Sequence, residues 1–238
     1  FHDVKKNFST GDWLKLAIKK IREIKKRKKI PILVGGTGLY FKALTEGLVK
    51  IPKIPVKVRK QVRTFQKKLG QDKFYQKLIK LDPNVKNIIQ SSDSQRAIRA
   101  FEVKYYTQKS IIHWFENTSS FLKDDEFIRI IIEKPRKELI NKIHLRTKKM
   151  LKVGAINEVK KFLKLNVINT KSAYKAIGIK EIKLYLEKKI NLNELEEMIL
   201  IKTRQYAKRQ TTWYRNQMKK WNVISSSELH NFLKKFKN

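Results

Sequence analysis

A glycine-rich segment, Gly35-Gly36-Thr37-Gly38, follows a short apolar run and precedes a helical pattern. At a bend from a strand to a helix, the free backbone N–H groups and the helix dipole favour an anion, and glycines let the backbone approach it closely. Thr37 adds a hydroxyl donor. A tight turn without any ligand explains the same residues equally well. The segment is neither a Walker A loop nor a dinucleotide fingerprint, because no Gly-Lys-Ser/Thr follows and the glycine spacing differs.

A second group of functional side chains lies in residues 203–215. If this segment is a helix, one stripe of it carries three cations and a hydroxyl, namely Arg204, Lys208, Thr211 and Arg215. Gln205, Arg209 and Thr212 lie beside this stripe, and the aromatic residues Tyr206, Trp213 and Tyr214 are interleaved. Cations for phosphates, amides for base edges and rings for stacking are typical of single-stranded RNA binding. The alternative is an amphipathic helix whose aromatic side chains face the core.

Two shorter segments have related features. Gln95-Arg96-Ala97-Ile98-Arg99 places Gln95 and Arg99 as i, i+4 neighbours on a helix. Lys175-Ala176-Ile177-Gly178-Ile179-Lys180 places a glycine inside an otherwise helical pattern. Such a glycine weakens a helix by about 1 kcal/mol relative to alanine, so a close approach to a ligand is one explanation and helix packing is another.

The composition is strongly basic. Lys and Arg number 57 against 21 Asp and Glu, which gives a formal net charge of +36 spread along the chain. A polyanionic partner explains this excess, and so does a compositional drift towards lysine. With no cysteine there is no disulfide and no thiolate metal site, and the four histidines lack metal-ligand spacing, so no protein-held metal is predicted. Without a signal peptide or an apolar run of about 20 residues, a cytoplasmic protein with no membrane contact is expected.

The order of predicted elements defines the fold class. A capping box at Ser9–Asp12 begins a helix, residues 30–34 form a buried parallel strand, and the glycine bend leads into another helix. Helices then dominate to about residue 117, a strand returns at 127–132, and further helices follow. The later helices are predicted at 135–152, 155–165, 172–188 and 193–221. The pattern indicates an α/β core in two parts, 1–50 and 125–238, with a helical insertion at 51–124.

Five motifs in this order resemble the tRNA dimethylallyltransferase family (tRNA isopentenyltransferases), over about residues 8–215. They are Pro31-Ile32-Leu33-Val34-Gly35-Gly36-Thr37-Gly38-Leu39-Tyr40, Gln95-Arg96-x-x-Arg99-Ala100-x-Glu102-Val103, Ile143-x-x-Arg146-x-x-x-Met150, Ala176-Ile177-Gly178-x-Lys180-Glu181, and Thr203-Arg204-Gln205-x-Ala207-Lys208-Arg209-Gln210-x-Thr212-Trp213-x-Arg215. The resemblance implies a P-loop-kinase-like parallel sheet core with an all-helical insertion domain. It also implies that this chain lacks the N-terminal P-loop strand.

The family resemblance also implies a reaction. The enzyme flips out the adenosine next to the anticodon on its 3′ side. The N6 of that adenosine then attacks C1 of dimethylallyl diphosphate, and diphosphate leaves with the help of a bound Mg²⁺. The expected partners are the tRNA anticodon stem-loop and dimethylallyl diphosphate, and the expected protein is a monomer.

The resemblance assigns roles residue by residue. Thr37 and Arg146 are the expected catalytic residues of the reaction channel, and they bind the diphosphate together with Gly35 and Gly36. Three segments are expected to bind tRNA: Gln95, Arg96, Ala97, Ile98 and Arg99; Lys175, Ala176, Ile177, Gly178, Ile179 and Lys180; and Lys208, Arg209, Gln210, Thr211, Thr212, Trp213, Tyr214 and Arg215. Ile179 stands where the family usually has tyrosine.

Two family motifs do not occur in the chain. These are the P-loop Gly-Pro-Thr-x-x-Gly-Lys-Ser/Thr and the Asp-Ser-x-Gln segment that carries the general base, both expected upstream of Phe1. The chain is therefore expected to be an N-terminally truncated enzyme that is inactive alone. The alternatives are a non-catalytic RNA-binding remnant of such an enzyme and a small-molecule kinase of related fold with a basic surface.

Overall fold

The computed structural model describes residues 2–116, 118 and 120–235, and it divides into two compact units. The first unit joins the residues up to Lys42 to those from Asp124 onward, and the second is Ala43–Lys123. The second unit begins at Ala43, within the helix Gly38–Thr45, whereas the helical insertion was predicted to begin at residue 51. The predicted core segments 1–50 and 125–238 include residue 1 and residues 236–238, which lie outside the described residues.

Most of the described chain is helical. In order, the helices are α1 (Thr10–Lys26), α2 (Gly38–Thr45), α3 (Val56–Leu69), α4 (Gln71–Leu81), α5 (Ser94–Thr107), α6 (Ile111–Glu116), α7 (Arg136–Val153), α8 (Ala155–Lys164), α9 (Ile179–Leu186), α10 (Leu192–Gln217) and α11 (Leu229–Lys234). The strands are β1 (Ile130–Glu133) and β2 (Asn222–Ser225). Short 3-10 turns lie at Pro83–Val85, Asp124–Glu126 and Ala173–Lys175.

The sheet of the first unit is parallel. β1 pairs with β2 in the register Ile131 to Val223, and each strand has one buried residue, Ile131 in β1 and Ile224 in β2. A parallel sheet among many helices confirms the predicted α/β class. β1 lies at the end of the strand predicted at 127–132. β2 was not predicted. The long helix was predicted to continue to residue 221, whereas α10 ends at Gln217.

The predicted buried strand at residues 30–34 is wrong. The described sheet pairs β1 only with β2, and residues 30–34 form no strand. Its side chains are strongly exposed, at 75% for Ile30, 77% for Ile32 and 89% for Val34. A strand requires a neighbouring backbone to share its hydrogen bonds, and an apolar pattern cannot report whether that neighbour is there.

Local end signals fixed several helices as predicted. Ser9 and Asp12 form the capping box of α1, with the Ser9 backbone N–H donating to the Asp12 carboxylate at 3.0 Å. α3 ends at Gly70, whose φ of 76° lies in the left-handed region that glycine tolerates. α7 ends at Gly154 in a similar way.

The single helix predicted at 172–188 is wrong. The chain makes a 3-10 turn at Ala173–Lys175, becomes extended at Ala176, and starts α9 only at Ile179. Gly178 is the residue before that helix and has a φ of 105°, which a residue with a Cβ rarely adopts. The glycine that was predicted to lie inside a helix therefore immediately precedes a new helix.

Each unit has its own apolar core. In the second unit α3, α4 and α5 pack around fully buried side chains, among them Phe74, Leu78 and Val103. In the first unit α8, α9 and α10 pack around Ile182, Leu195 and Ile199. Both cores leave the cationic faces of the helices in solvent.

Candidate functional site

The glycine bend of the first unit packs directly against α10. The side-chain amide of Gln210 donates to the carbonyl oxygen of Gly36 at 2.7 Å. A Cβ added at Gly36 would overlap that amide, and one added at Gly38 would overlap the ring of Trp213. The glycines are therefore needed for close approach, and what they approach in this structure is the long cationic helix.

A second connection joins the C-terminal part of α10 to the end of β1. The carboxylate of Glu133 accepts from the hydroxyl of Tyr214 at 2.7 Å and from the guanidinium of Arg215 at 2.9 Å. These hydrogen bonds, first that of Tyr214 and then that of Arg215, lower the pKa of the Glu133 carboxyl. Burial, followed by the hydrogen bond to Glu133, raises the pKa of Tyr214. The C-terminal part of α10 is thus held by polar contacts to the glycine bend and to the end of β1.

Aromatic and polar contacts brace the start of α2. Tyr40 stacks on Trp13 of α1, with ring centroids 4.5 Å apart. The ammonium group of Lys42 donates to the side-chain oxygen of Gln217 at 2.7 Å. The bend is therefore held from α1 as well as from α10.

The two predicted catalytic residues are both exposed. Thr37 precedes α2, and its carbonyl oxygen accepts from the backbone N–H of Tyr40 at 3.0 Å. Arg146 lies on α7, which packs along α10, and is followed by the buried Thr147. Within the part of the chain that the structure describes, the Arg146 guanidinium has no hydrogen bond or ion pair. Both side chains are thus open to a ligand, and their catalytic roles stay predictions.

The predicted RNA-binding stripe of α10 divides into two parts. Arg204 and Lys208 are exposed, and the Arg209 guanidinium lies 5.8 Å from the centre of the Tyr206 ring. Further along the helix Gln210, Trp213, Tyr214 and Arg215 contact the bend or β1, as described above. Thr211 is partly buried, and the exposed Thr212 donates its hydroxyl to the carbonyl oxygen of Lys208 at 3.1 Å. The first part is open to solvent, while most of the second holds the fold together.

The loop before α9 is organised by a buried carboxylate. Glu181 accepts from the backbone N–H of Gly178 at 2.8 Å and from the ammonium group of Lys202 on α10. Burial raises the pKa of Glu181, but the Lys202 hydrogen bond and those from backbone N–H groups outweigh burial and leave it lowered. Three of the predicted RNA-binding residues in this loop, Lys175, Ala176 and Ile177, are exposed.

Not every predicted RNA-binding side chain of these two segments reaches the surface. Ala97 and Ile98 belong to the core of the second unit, and Ile179 belongs to the core of the first. The helical period places these three residues on the apolar faces of their helices. Any RNA contacts of these segments must therefore come from neighbouring residues. Those neighbours, Gln95, Arg96 and Lys180, are exposed, and Arg99 is half-buried.

A cluster around Glu102 of α5 was not predicted. Its carboxylate is 1% exposed and lies 3.6 Å from the Arg59 guanidinium, 3.4 Å from that of Arg63 and 3.5 Å from that of Arg99. Arg59 and Arg63 are i, i+4 neighbours on α3. The spacing of the two arginines is evident in the sequence, but their pairing with Glu102 on another helix is not.

No group of three or more His, Cys, Asp or Glu that could hold a metal ion occurs among residues 2–116, 118 and 120–235. Glu133, the carboxylate at the end of β1, is already occupied by Tyr214 and Arg215. Over the described residues, no helix is long and apolar enough to cross a membrane.

Fold and site together define a basic α/β protein. In its first unit a glycine bend is packed onto a long cationic helix, and its second, helical unit carries an arginine cluster. The family model of IPP transferase matches residues 1–217. The chain belongs to the IPP transferase family.

Two similar relatives are both named tRNA dimethylallyltransferase. The one from Pelagibacter ubique is 53% identical over 237 residues, which cover 100% of this chain and 76% of the relative. The one from Rickettsia massiliae is 42% identical over 220 residues, which cover 92% of this chain and 60% of the relative. The chain thus spans between about three fifths and three quarters of the length of these relatives.

Solved structures have the same fold. The tRNA isopentenylpyrophosphate transferase of Bacillus halodurans matches with a TM-score of 0.61 at 29% identity, covering 98% of this chain and 75% of that one. A eukaryotic dimethylallyltransferase acting on tRNA matches with a TM-score of 0.77 at 24% identity, covering 97% of this chain and 60% of that one. The second likeness concerns the fold alone.

Proposed function

We propose that this chain is the larger part of an enzyme that transfers a dimethylallyl group from dimethylallyl diphosphate to N6 of the adenosine 3′ to the anticodon of tRNA. The observation that carries the proposal is the glycine bend held against α10 by Gln210 and Trp213. It joins an exposed hydroxyl at Thr37 to a helix whose exposed cations suit an RNA backbone. Family membership supports this reaction over phosphoryl transfer by a small-molecule kinase.

Some residues of the first unit are assigned to RNA binding and others to stabilising the departing diphosphate. Taking a base out of its stack costs a few kcal/mol, so contacts to the RNA must offset that cost. Arg204 and Lys208 of α10 and Lys175 of the loop before α9 supply exposed cations for it. Negative charge grows on the departing diphosphate, and donors already fixed in place lower the barrier most. Thr37 and Arg146 are the exposed donors that we assign to that task.

The Mg²⁺ expected from the family is not assigned to protein ligands here, because the described residues offer no set of carboxylates for it. Magnesium in phosphate chemistry keeps several waters and is held largely by phosphate oxygens. A magnesium ion that entered with the diphosphate would stabilise the leaving group. None of the roles given above to this chain's residues depends on it.

We further propose that the 238 residues bind tRNA but do not prenylate it alone. The sequence contains no Gly-Lys-Ser/Thr loop and no Asp-Ser-x-Gln segment for the general base. Binding without catalysis is also the behaviour of the alternative, a non-catalytic RNA-binding remnant. The two differ in whether catalysis appears when those segments are supplied.

The test therefore uses the chain alone and a fusion that adds the part of the Pelagibacter ubique relative lying outside the match. Each is incubated with dimethylallyl diphosphate and an anticodon stem-loop RNA, and the adenosine product is measured by mass spectrometry. Prenylated adenosine is expected from the fusion alone. Prenylation by the unfused chain would refute the inactivity of the chain alone, and a folded, RNA-binding fusion without product would favour the remnant.

Variants of the fusion test the assigned residues. Arg146→Ala should lower the rate of transfer by about 100-fold, the loss expected when one donor to developing charge is removed. Lys148→Ala is the matched control, since it removes an exposed cation from the same helix at a position on another face. Equal effects of the two variants would exclude a specific role for Arg146.

A further inference from the structure

The second unit contains an ion cluster with more positive than negative charge. Three arginines, Arg59 and Arg63 from α3 and Arg99 from α5, surround the single carboxylate of Glu102. The carboxylate is 1% exposed, while the three arginine side chains are between 41% and 49% exposed. One anion therefore holds three cations at a surface, and two positive charges remain uncompensated within the cluster.

The geometry indicates that Glu102 orients the arginines without saturating them. All three N–O distances lie between 3.4 and 3.6 Å, longer than the 2.7–2.9 Å typical of a charge-assisted hydrogen bond. Each guanidinium carries five N–H donors and accepts nothing, so most donors of the cluster still face solvent. A single arginine would have been enough to compensate a buried glutamate. The excess indicates that further anions are to be bound.

The surroundings favour a nucleic-acid backbone over an acidic protein. α3 has no acidic residue, and its further cations are Lys57, Lys60, Lys67 and Lys68. Protein partners usually require an apolar centre to the interface, whereas a run of cations suits regularly spaced phosphates. Guanidinium groups also match phosphate oxygens in a two-point geometry that lysine cannot provide.

We propose that Glu102 is a positioning residue that holds Arg59, Arg63 and Arg99 as a platform for adjacent phosphates of an RNA backbone. The proposal deepens the proposed function, because it rests on RNA being the substrate of the enzyme. It assigns Arg59 and Arg63 to RNA binding, which the motifs had not indicated. In this proposal the buried Glu102 carboxylate orients the arginines for RNA in addition to joining α3 to α5.

The first experiment compares two double variants of the complete chain. Arg59→Ala with Arg63→Ala removes two members of the platform, and Lys57→Ala with Lys68→Ala removes two exposed cations from the opposite face of α3. The probe is an anticodon stem-loop RNA, with affinity measured across a salt series. A lost phosphate contact lowers the salt slope by about 0.9, which is about a 5-fold loss of affinity at 0.15 M salt. The arginine pair should therefore cost about 30-fold, and the lysine pair only a few-fold.

The second experiment uses Glu102→Gln, for which charge attraction and arginine positioning predict opposite changes in RNA affinity. Glu102→Gln makes the protein more positive, so attraction by charge alone would raise RNA affinity. If Glu102 positions the arginines, Glu102→Gln should instead lower affinity several-fold, with the fold verified by circular dichroism and thermal melting. Arg59→Lys with Arg63→Lys keeps the charge but loses the guanidinium geometry, so it should weaken binding more than the lysine-pair control does.

The outcomes separate this inference from the proposed function. Strong RNA binding that is equally affected by the arginine and lysine pairs would overturn the platform, while leaving the enzyme assignment intact. Tighter binding by Glu102→Gln would show that Glu102 does not position the platform. If the unaltered chain prefers an acidic polypeptide to the RNA, both the platform and the proposed substrate are wrong.

Discussion

Replacing Gly38 by alanine should loosen the packing of α10 against the glycine bend. A Cβ at this position would overlap three atoms of the Trp213 indole, Cδ2, Cε3 and Cζ3. Because a rigid ring cannot yield as a flexible side chain does, either the ring or the start of α2 has to shift. The neighbouring hydrogen bond from Gln210 to the Gly36 carbonyl depends on the same approach and should weaken with it.

The size of the effect follows from opposing contributions. An extra methyl group in a well-packed contact costs about 1–3 kcal/mol. A weakened hydrogen bond adds about 1 kcal/mol. Alanine at the start of α2 recovers up to about 1 kcal/mol through its higher helix propensity. We therefore expect the free energy of unfolding of Gly38→Ala to fall by about 1–3 kcal/mol in total.

The chain offers a close control three residues away. A Cβ at Gly35 would meet the ring of Phe41 at 3.8 Å, which is an ordinary van der Waals contact. Gly35→Ala should therefore be neutral or slightly stabilising. Both variants are compared by urea unfolding, followed by tryptophan fluorescence and by circular dichroism. A Gly38→Ala protein as stable as Gly35→Ala would refute the close packing of Trp213 on the bend.

Two further predictions concern the loop before α9. Gly178→Ala should lower the free energy of unfolding by about 1–3 kcal/mol, because alanine is strained at a φ of 105° although the nearest side-chain atom, in Ile182, lies 3.9 Å from the added Cβ. Gly154→Ala, at a φ of 128° with no atom within 4 Å, is the matched test of strain alone in urea melts. The lowered pKa of Glu181 makes its bonds stabilising above pH 4.5, the ordinary value, and this contribution disappears as the pH falls through the lowered value. Glu181→Gln should accordingly cost about 1–3 kcal/mol at pH 7 and progressively less in acid, and a pH-independent difference would contradict the pairing with Lys202.

Much of the local structure could be predicted because its causes lie within a few residues. The capping box at Ser9 satisfies backbone N–H groups of the adjacent turn, and Gly70 ends α3 by its own conformation. The α/β order of elements and the motifs at 35–38 and 203–215 could also be recognised from the sequence. Where the prediction failed, at 30–34, the missing information was the presence of a neighbouring strand.

The candidate site could be predicted only in outline. The sequence indicated that the glycines approach something closely, but not that Gly36 meets Gln210, which is 174 residues away along the chain. It indicated cations on α5, but not that Arg63 of α3 shares Glu102 with Arg99. The motif predicts RNA contacts for all of residues 95–99, but packing places Ala97 and Ile98 in the core.

By itself, then, the sequence determined the family, the class of fold and which side chains carry charge, since these depend on residue types and their short-range spacing. Only the tertiary structure decided which cations stay free for a ligand, such as Arg204 and Lys208, and which serve the fold, such as Arg215. The physical reason is that a charge becomes available or occupied through neighbours that folding brings from distant parts of the chain. Spacing along one helix cannot specify those neighbours.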